Sequence, residues 1–152
     1  GRAIVFRKKL EVPPLKLFKL FKTLLKIDKK EYGYTWPVQP PWVGKVCDRH
    51  FYNAFLTSQG YIQPCSGLNI YLGNIRYQKL SEIIKTSPIL QALRQIDKKI
   101  KGYCKKCPQH IKYRCYGCRA TTYQITGDIL ESDPYCWNNP KFKKFVKILK
   151  IC

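Results

Sequence analysis

The sequence predicts an α+β fold in which a small β-hairpin is followed by short helices and cysteine-rich loops, with amphipathic helices at both flanks. Three observations point there. HFYNAFLTSQGYIQPC (residues 50–65) holds two strand-like runs around a glycine turn. Ser87-Pro88 and Asn139-Pro140 each supply a helix cap followed by a first-turn proline. Seven of the eight cysteines fall between residues 47 and 136, four of them in the two Cys-x-x-Cys pairs of KGYCKKCPQHIKYRCYGCRA (residues 101–120).

Taken in order, the chain opens on the apolar run AIVF, read as a short strand, and passes through Pro13 and Pro14 into a helix. There Lys16, Lys19, Lys22 and Lys26 recur opposite Leu17, Leu20, Phe21, Leu24 and Leu25, an amphipathic pattern of period 3.6. EYGYTWPVQPPWVGKV follows, where Pro37, Pro40 and Pro41 forbid a regular helix or central strand. Its Tyr and Trp side chains are read as packing groups. Strands are expected at Phe51–Thr57 and Tyr61–Gln63, with Gly60 in the turn between them. LGNIRYQKLSEIIKT is a turn and then a helix that must stop before Pro88. Ser87 caps a second helix, ILQALRQIDKKI; the cysteine segment leads into RATTYQITGD, a short helix closed by Gly127. A last amphipathic helix, KFKKFVKILK, turns Phe142, Phe145, Val146 and Leu149 inward.

The net charge of +20 invites a polyanion-binding reading. Its placement on the outer faces of ordinary amphipathic helices favours solvated lysines instead, and nucleic acid is not expected as a partner. Lysines interrupt every hydrophobic stretch well short of the roughly 18 residues of a membrane span, so no membrane partner is expected. No signal-peptide pattern opens the chain, and a cytoplasmic location is expected. The sequence has no Met at position 1 or elsewhere, so a fragment of a longer protein is expected.

Two Cys-x-x-Cys pairs within fifteen residues point to metal, because each pair turns two sulfurs toward one centre. Four thiolates satisfy a tetrahedral zinc ion and suit an iron–sulfur cluster equally well. Zinc on these four leaves Cys47, Cys65 and Cys136 without a role, whereas seven cysteines approach what two cubane clusters require. No Ser-centred elbow, phosphate-binding glycine loop or nucleophile paired to His50 or His110 is present, and Asp133 before Pro134 reads as a turn residue.

The run CDRHFYNAFLTSQGYIQPC, then LGNIRYQKLSEII, then CYGCRATTYQITGD and SDPYC resembles the SPASM domain, the C-terminal auxiliary-cluster domain of radical S-adenosylmethionine enzymes. The resemblance covers residues 47–137. It makes residues 1–46 a connector from a catalytic barrel outside this sequence, and 138–152 a C-terminal amphipathic helix. It implies a fold organised around two [4Fe–4S] clusters, the first held by Cys47, Cys65 and Cys118, the second by Cys104, Cys107, Cys115 and Cys136. Relative to the family, the spacer from Cys107 to Cys115 is two residues longer, and that from Cys115 to Cys118 one shorter. The first cluster then lacks a fourth cysteine; Asp48 and His50, with His110 further off, are candidate ligands, and Cys152 is expected to be a free thiol.

The family cleaves S-adenosylmethionine at a barrel-bound cluster held by Cys-x-x-x-Cys-x-x-Cys, a spacing this sequence does not contain. The implied role is therefore an auxiliary module, not catalytic by itself, serving electron transfer and substrate binding. Its implied partners are a radical S-adenosylmethionine barrel in cis, an electron donor such as ferredoxin or flavodoxin, and a peptide, protein or small-metabolite substrate. S-adenosylmethionine would bind only in the barrel. The alternative is a basic zinc-ribbon-like module on nucleic acid, which would have no use for Cys47 and Cys65. Basic surroundings should raise the reduction potential of both clusters.

Overall fold

The computed structural model describes residues 6–10, 12–41 and 46–141. The expected strand at residues 3–6 (apart from Phe6), the helix beyond 141, Trp42 and Cys152 lie outside them. The chain divides into two compact units, residues 1–41 with 135–152, and residues 42–134.

In the first unit a short turn of helix, α1 (Arg7–Leu10), precedes α2 (Pro14–Tyr32). Pro14 sits in the first turn, where a missing N–H costs nothing, and Gly33 ends the helix with φ 68°. The Gly33 N–H donates to Lys29 O and the Tyr34 N–H to Asp28 O, both at 3.2 Å. Its covered stripe runs through Pro14, Leu17, Phe18, Phe21, Leu25 and Asp28. Phe18 and Phe21 pack on Trp137 with ring centroids 5.4 and 5.9 Å away, Phe21 meets Trp36 edge-on, and Trp36 Nε1 donates to Asp28 at 2.8 Å. These aromatics set the helix phase, so Leu20 and Leu24, expected inward, are exposed. Tyr32 and Tyr34, expected to pack, are also exposed; Trp36 alone of the described connector aromatics is covered.

The second unit begins with a helical turn, α3 (Arg49–Tyr52), where a strand was expected to start. His50 is buried, and its carbonyl accepts from Arg94 Nε at 3.3 Å, a contact that winds residues 49–52 inward. The hairpin is therefore short: β1 (Phe55–Leu56) pairs antiparallel with β2 (Tyr61–Gln63), Leu56 opposite Ile62. Gly60 turns between them at φ 90°. A third strand, β3 (Gly73–Asn74), joins the far side of β2 from within the expected turn.

Helix α4 (Leu80–Thr86) stops before Pro88, and Ser87 Oγ caps α5 (Pro88–Arg94) by accepting the Leu90 N–H at 3.3 Å. The expected single helix over residues 89–100 breaks at Gln95, and α6 (Ile96–Lys99) resumes beyond it. That break lets Leu90, Leu93, Ile96 and Ile100 all be buried. The cysteine segment, expected as loops, is largely helical: α7 (Gly102–Lys106) and α8 (Pro108–Tyr113) are separated by Cys107 alone. Helix α9 (Arg119–Thr126) ends at Gly127, as expected. The core gathers Leu68, Leu93, Ile96, Ile100, Tyr116, Ala120 and Ile129 around Cys104, so thiol-bearing segments line the apolar centre.

Candidate metal centre

Cys47 lies just before α3, Cys65 follows β2 on a turn closed by Leu68 N–H to Cys65 O, and Cys118 is the residue that begins α9. Gln124 Nε2 donates to Gly67 O at 2.9 Å, and Gly67 sits so near Ala120 that a Cβ there would stand 3.3 Å from the Ala120 methyl. These contacts hold the Cys65 turn against α9. Burial pushes the Cys47 thiol above its ordinary pKa, and the neighbouring Cys65 and Cys118 thiols push it further. The fold thus brings Cys65 and Cys118 within electrostatic reach of Cys47.

Cys104, Cys107 and Cys115 are buried. The Cys104 N–H donates to Ser132 Oγ at 3.1 Å, and that hydroxyl donates to Lys101 O. Burial raises the Cys104 pKa, opposed by hydrogen bonds from Ser132 and the Asp133 backbone and by the Arg119 charge. The spacer between Cys107 and Cys115 forms α8, closed at Arg114 with φ 51°. Arg114 donates to Asp97 at 2.7 and 3.3 Å and to the Tyr116 hydroxyl at 3.1 Å, while Tyr116 itself donates to Asp97. Burial and the Asp97 carboxylate push the Tyr116 phenol up to about 12. His110 lies in this spacer, with Nδ1 3.3 Å from Cys115 O.

Beneath the CYGC loop, Gly117 at φ 62° allows a close approach of Asp133; a Cβ on Gly117 would lie 2.3 Å from Asp133 Oδ2. That oxygen accepts the Cys118 N–H at 2.8 Å. Asp133 is therefore a buried acceptor that fixes a cysteine, a role the turn-residue reading missed. Burial raises its carboxyl pKa, opposed by the Cys118 N–H and the Arg119 charge. Arg119, also buried, donates to the carbonyls of Ile129, Glu131 and Tyr116. Burial lowers its pKa, offset by Asp133 and by the thiols of Cys104, Cys118 and Cys115.

The other expected residues are placed differently. Asp48 is exposed and accepts the Tyr52 hydroxyl at 3.1 Å. His50 packs under α5, hydrogen-bonded to the Leu93 backbone, its pKa lowered by burial and by Arg94; its Nε2 has no hydrogen-bond partner among the described residues. Cys136 belongs to the first unit, on a turn where its carbonyl accepts the Asn139 N–H at 2.9 Å.

Cys47, Cys65, Cys104, Cys107 and Cys118 stand as thiols rather than disulfides. Among the described residues, no three His, Cys, Asp or Glu side chains converge tightly enough to hold a single ion. A cubane cluster carries its thiolates at the corners of an Fe₄S₄ core, and cysteine thiols are the donors such a group takes. Also among the described residues, no helix is long and apolar enough to cross a membrane.

Residues 47–108 match the family model SPASM, an iron–sulfur cluster-binding domain. The chain is 41% identical over 86 residues to an AdoMet-dependent heme synthase of Methanosarcina barkeri, a match covering 57% of this chain and 24% of that protein. It is 32% identical over 87 residues to the protein of the same name from Nitratidesulfovibrio vulgaris, covering 57% and 23%. A third, from Oleidesulfovibrio alaskensis, is 30% identical over 89 residues, covering 59% and 22%. The chain spans about a quarter of the length of the curated relatives it matches.

Proposed function

We propose, from the premise that residues 47–108 belong to the SPASM family of iron–sulfur cluster-binding domains, that this chain is the auxiliary-cluster part of a radical S-adenosylmethionine enzyme that makes heme. The observation carrying the reading is the 41% identity over 86 residues to an AdoMet-dependent heme synthase. Two [4Fe–4S] clusters are held here, one by Cys47, Cys65 and Cys118, the other by Cys104, Cys107, Cys115 and Cys136. Residues 1–46 join this domain to the barrel, which supplies the S-adenosylmethionine site. The clusters, when bound, supply one-electron transfer.

The chain's own residues arrange the ligands. Asp133 draws in the Cys118 N–H, Ser132 holds the Cys104 N–H, and the Asp97–Arg114–Tyr116 group anchors the loop that presents Cys115. Burial excludes water from Cys104, Cys107 and Cys115, while the partly exposed Cys47, Cys65 and Cys118 leave their cluster open to an outside ligand. With three thiolates, that cluster keeps a position for substrate or water unless Asp48 or His50 fills it.

Two measurements test the reading. Anaerobically reconstituted protein should be brown, hold about eight irons for two cubane clusters, and bleach with reductant; a colourless protein with stoichiometric zinc would sink the proposal in favour of the ribbon. Replacing the matched segment of the Methanosarcina barkeri enzyme by the corresponding segment of this chain should preserve heme formation. A chimera that binds full iron yet forms no heme removes the heme-synthase assignment and leaves the cluster reading intact.

A further inference from the structure

Arg119 is a charged side chain in the interior, 4% exposed. Its fork is locked: Nη1 donates to Ile129 O at 3.0 Å and Glu131 O at 2.7 Å, and Nη2 donates to Tyr116 O. Three carbonyls from both sides of α9 fix the guanidinium plane. Its Nε–H has no hydrogen-bond partner among the described residues. The charge lies within electrostatic range of the Asp133 carboxylate and of the Cys104, Cys118 and Cys115 thiols, with Cys104 foremost among the thiols.

A buried N–H left without an acceptor bears its full desolvation penalty. A side chain pinned by its other nitrogens cannot turn Nε elsewhere, so the orphan donor must be met by something that enters the site. The sulfurs of an iron–sulfur core are acceptors of the right kind, and reduction adds one negative charge to that core. A fixed cation and an N–H donor both stabilise the reduced state more than the oxidised one, strongly so where water is excluded.

We propose that Arg119 is a positioning residue that directs its charge and Nε–H at the cluster held by Cys104 and Cys115, making it the higher-potential member of the pair and the resting place of the electron. This rests on the cluster reading above. Lysine would keep the charge but lose the fork that grips three carbonyls together, so it restores the effect only in part.

The test compares the anaerobically reconstituted protein with its Arg119→Gln and Arg119→Lys variants, with iron and sulfide counted first. Each core takes one electron from dithionite, and midpoints are followed by EPR, with signals assigned through Cys104→Ala. In Arg119→Gln the reduction constant of the Cys104 cluster should fall at least tenfold, about 59 mV. The Cys47 cluster should shift less, and Arg119→Lys should lie between. Full iron with unchanged midpoints overturns the inference and spares the cluster reading; no iron in the unaltered protein overturns both. Should Arg119→Gln fail to assemble, protein labelled with ¹⁵N-arginine decides. Hyperfine coupling from an arginine nitrogen to the reduced cluster supports the inference, and its absence overturns it.

Discussion

Replacing Gly117 by Ala tests whether the close contact beneath the CYGC loop sets ligand geometry. Gly117 has φ 62°, a left-handed conformation that costs an L-residue about 1–2 kcal/mol. The new methyl would also stand 2.3 Å from Asp133 Oδ2, 2.7 Å from its Cβ and 2.9 Å from its Cγ, so the carboxylate must move. Moving it strands the Cys118 N–H now held at 2.8 Å, adding about 1–3 kcal/mol. The sum is about 2–5 kcal/mol, a large share of the roughly 5–15 kcal/mol that holds a domain together. Gly127→Ala is the matched control: φ is 73°, but nothing lies within 4 Å of the added carbon, so only the conformational part is lost. Both variants would be reconstituted anaerobically and unfolded in urea at matched protein concentration, with iron measured alongside. Gly117→Ala should show the lower midpoint and lose iron preferentially. Equal midpoints for the two variants would refute the claim that Asp133 and Gly117 together place Cys118.

Replacing Cys104, Cys107, Cys115 or Cys136 by Ala should remove one whole cluster, while Cys152→Ala leaves iron unchanged; an equal loss from Cys152→Ala would break the ligand assignment. Chelating the iron should loosen residues 47–134, because metal binding and folding are coupled, and an apo melt as sharp and as high as that of the loaded protein would contradict this. Cyanide or an added thiol should perturb the spectrum of one cluster and spare the other. If neither cluster responds in the unaltered protein, nor in Asp48→Ala or His50→Ala, the open position does not exist. Tyr116→Phe and Asp97→Asn should each cost about 1 kcal/mol in urea unfolding at pH 7 and be non-additive, since both break one network. Arg114 holds the Asp97 carboxyl below its ordinary value, so this contribution is present above about pH 4 and fades as pH falls through the folded-state pKa.

Local signals were enough for the elements that local chemistry controls. Ser87-Pro88, Gly127 and the Gly60 turn fell where the sequence placed them, because a cap or a positive φ depends on a few neighbouring atoms. Cysteine order and spacing, with the GNIR, GCRA and TGD segments beside them, carried the resemblance to a cluster-binding family. The phase of α2 was beyond reach: Leu20 and Leu24 are as apolar as Leu17 and Leu25, and distant Trp137 decides which pair is covered. The helical turn at residues 49–52 follows from a contact to Arg94, 44 residues on. No sequence signal distinguished Asp133 from a turn residue or Arg119 from a surface cation. What singled them out was the pairing of a glycine's missing side chain with a carboxylate sixteen residues away, and of a guanidinium with carbonyls ten and twelve residues on. Residue type and spacing decide which groups are able to bind metal; only packing across long sequence separations decides which charges and donors surround it.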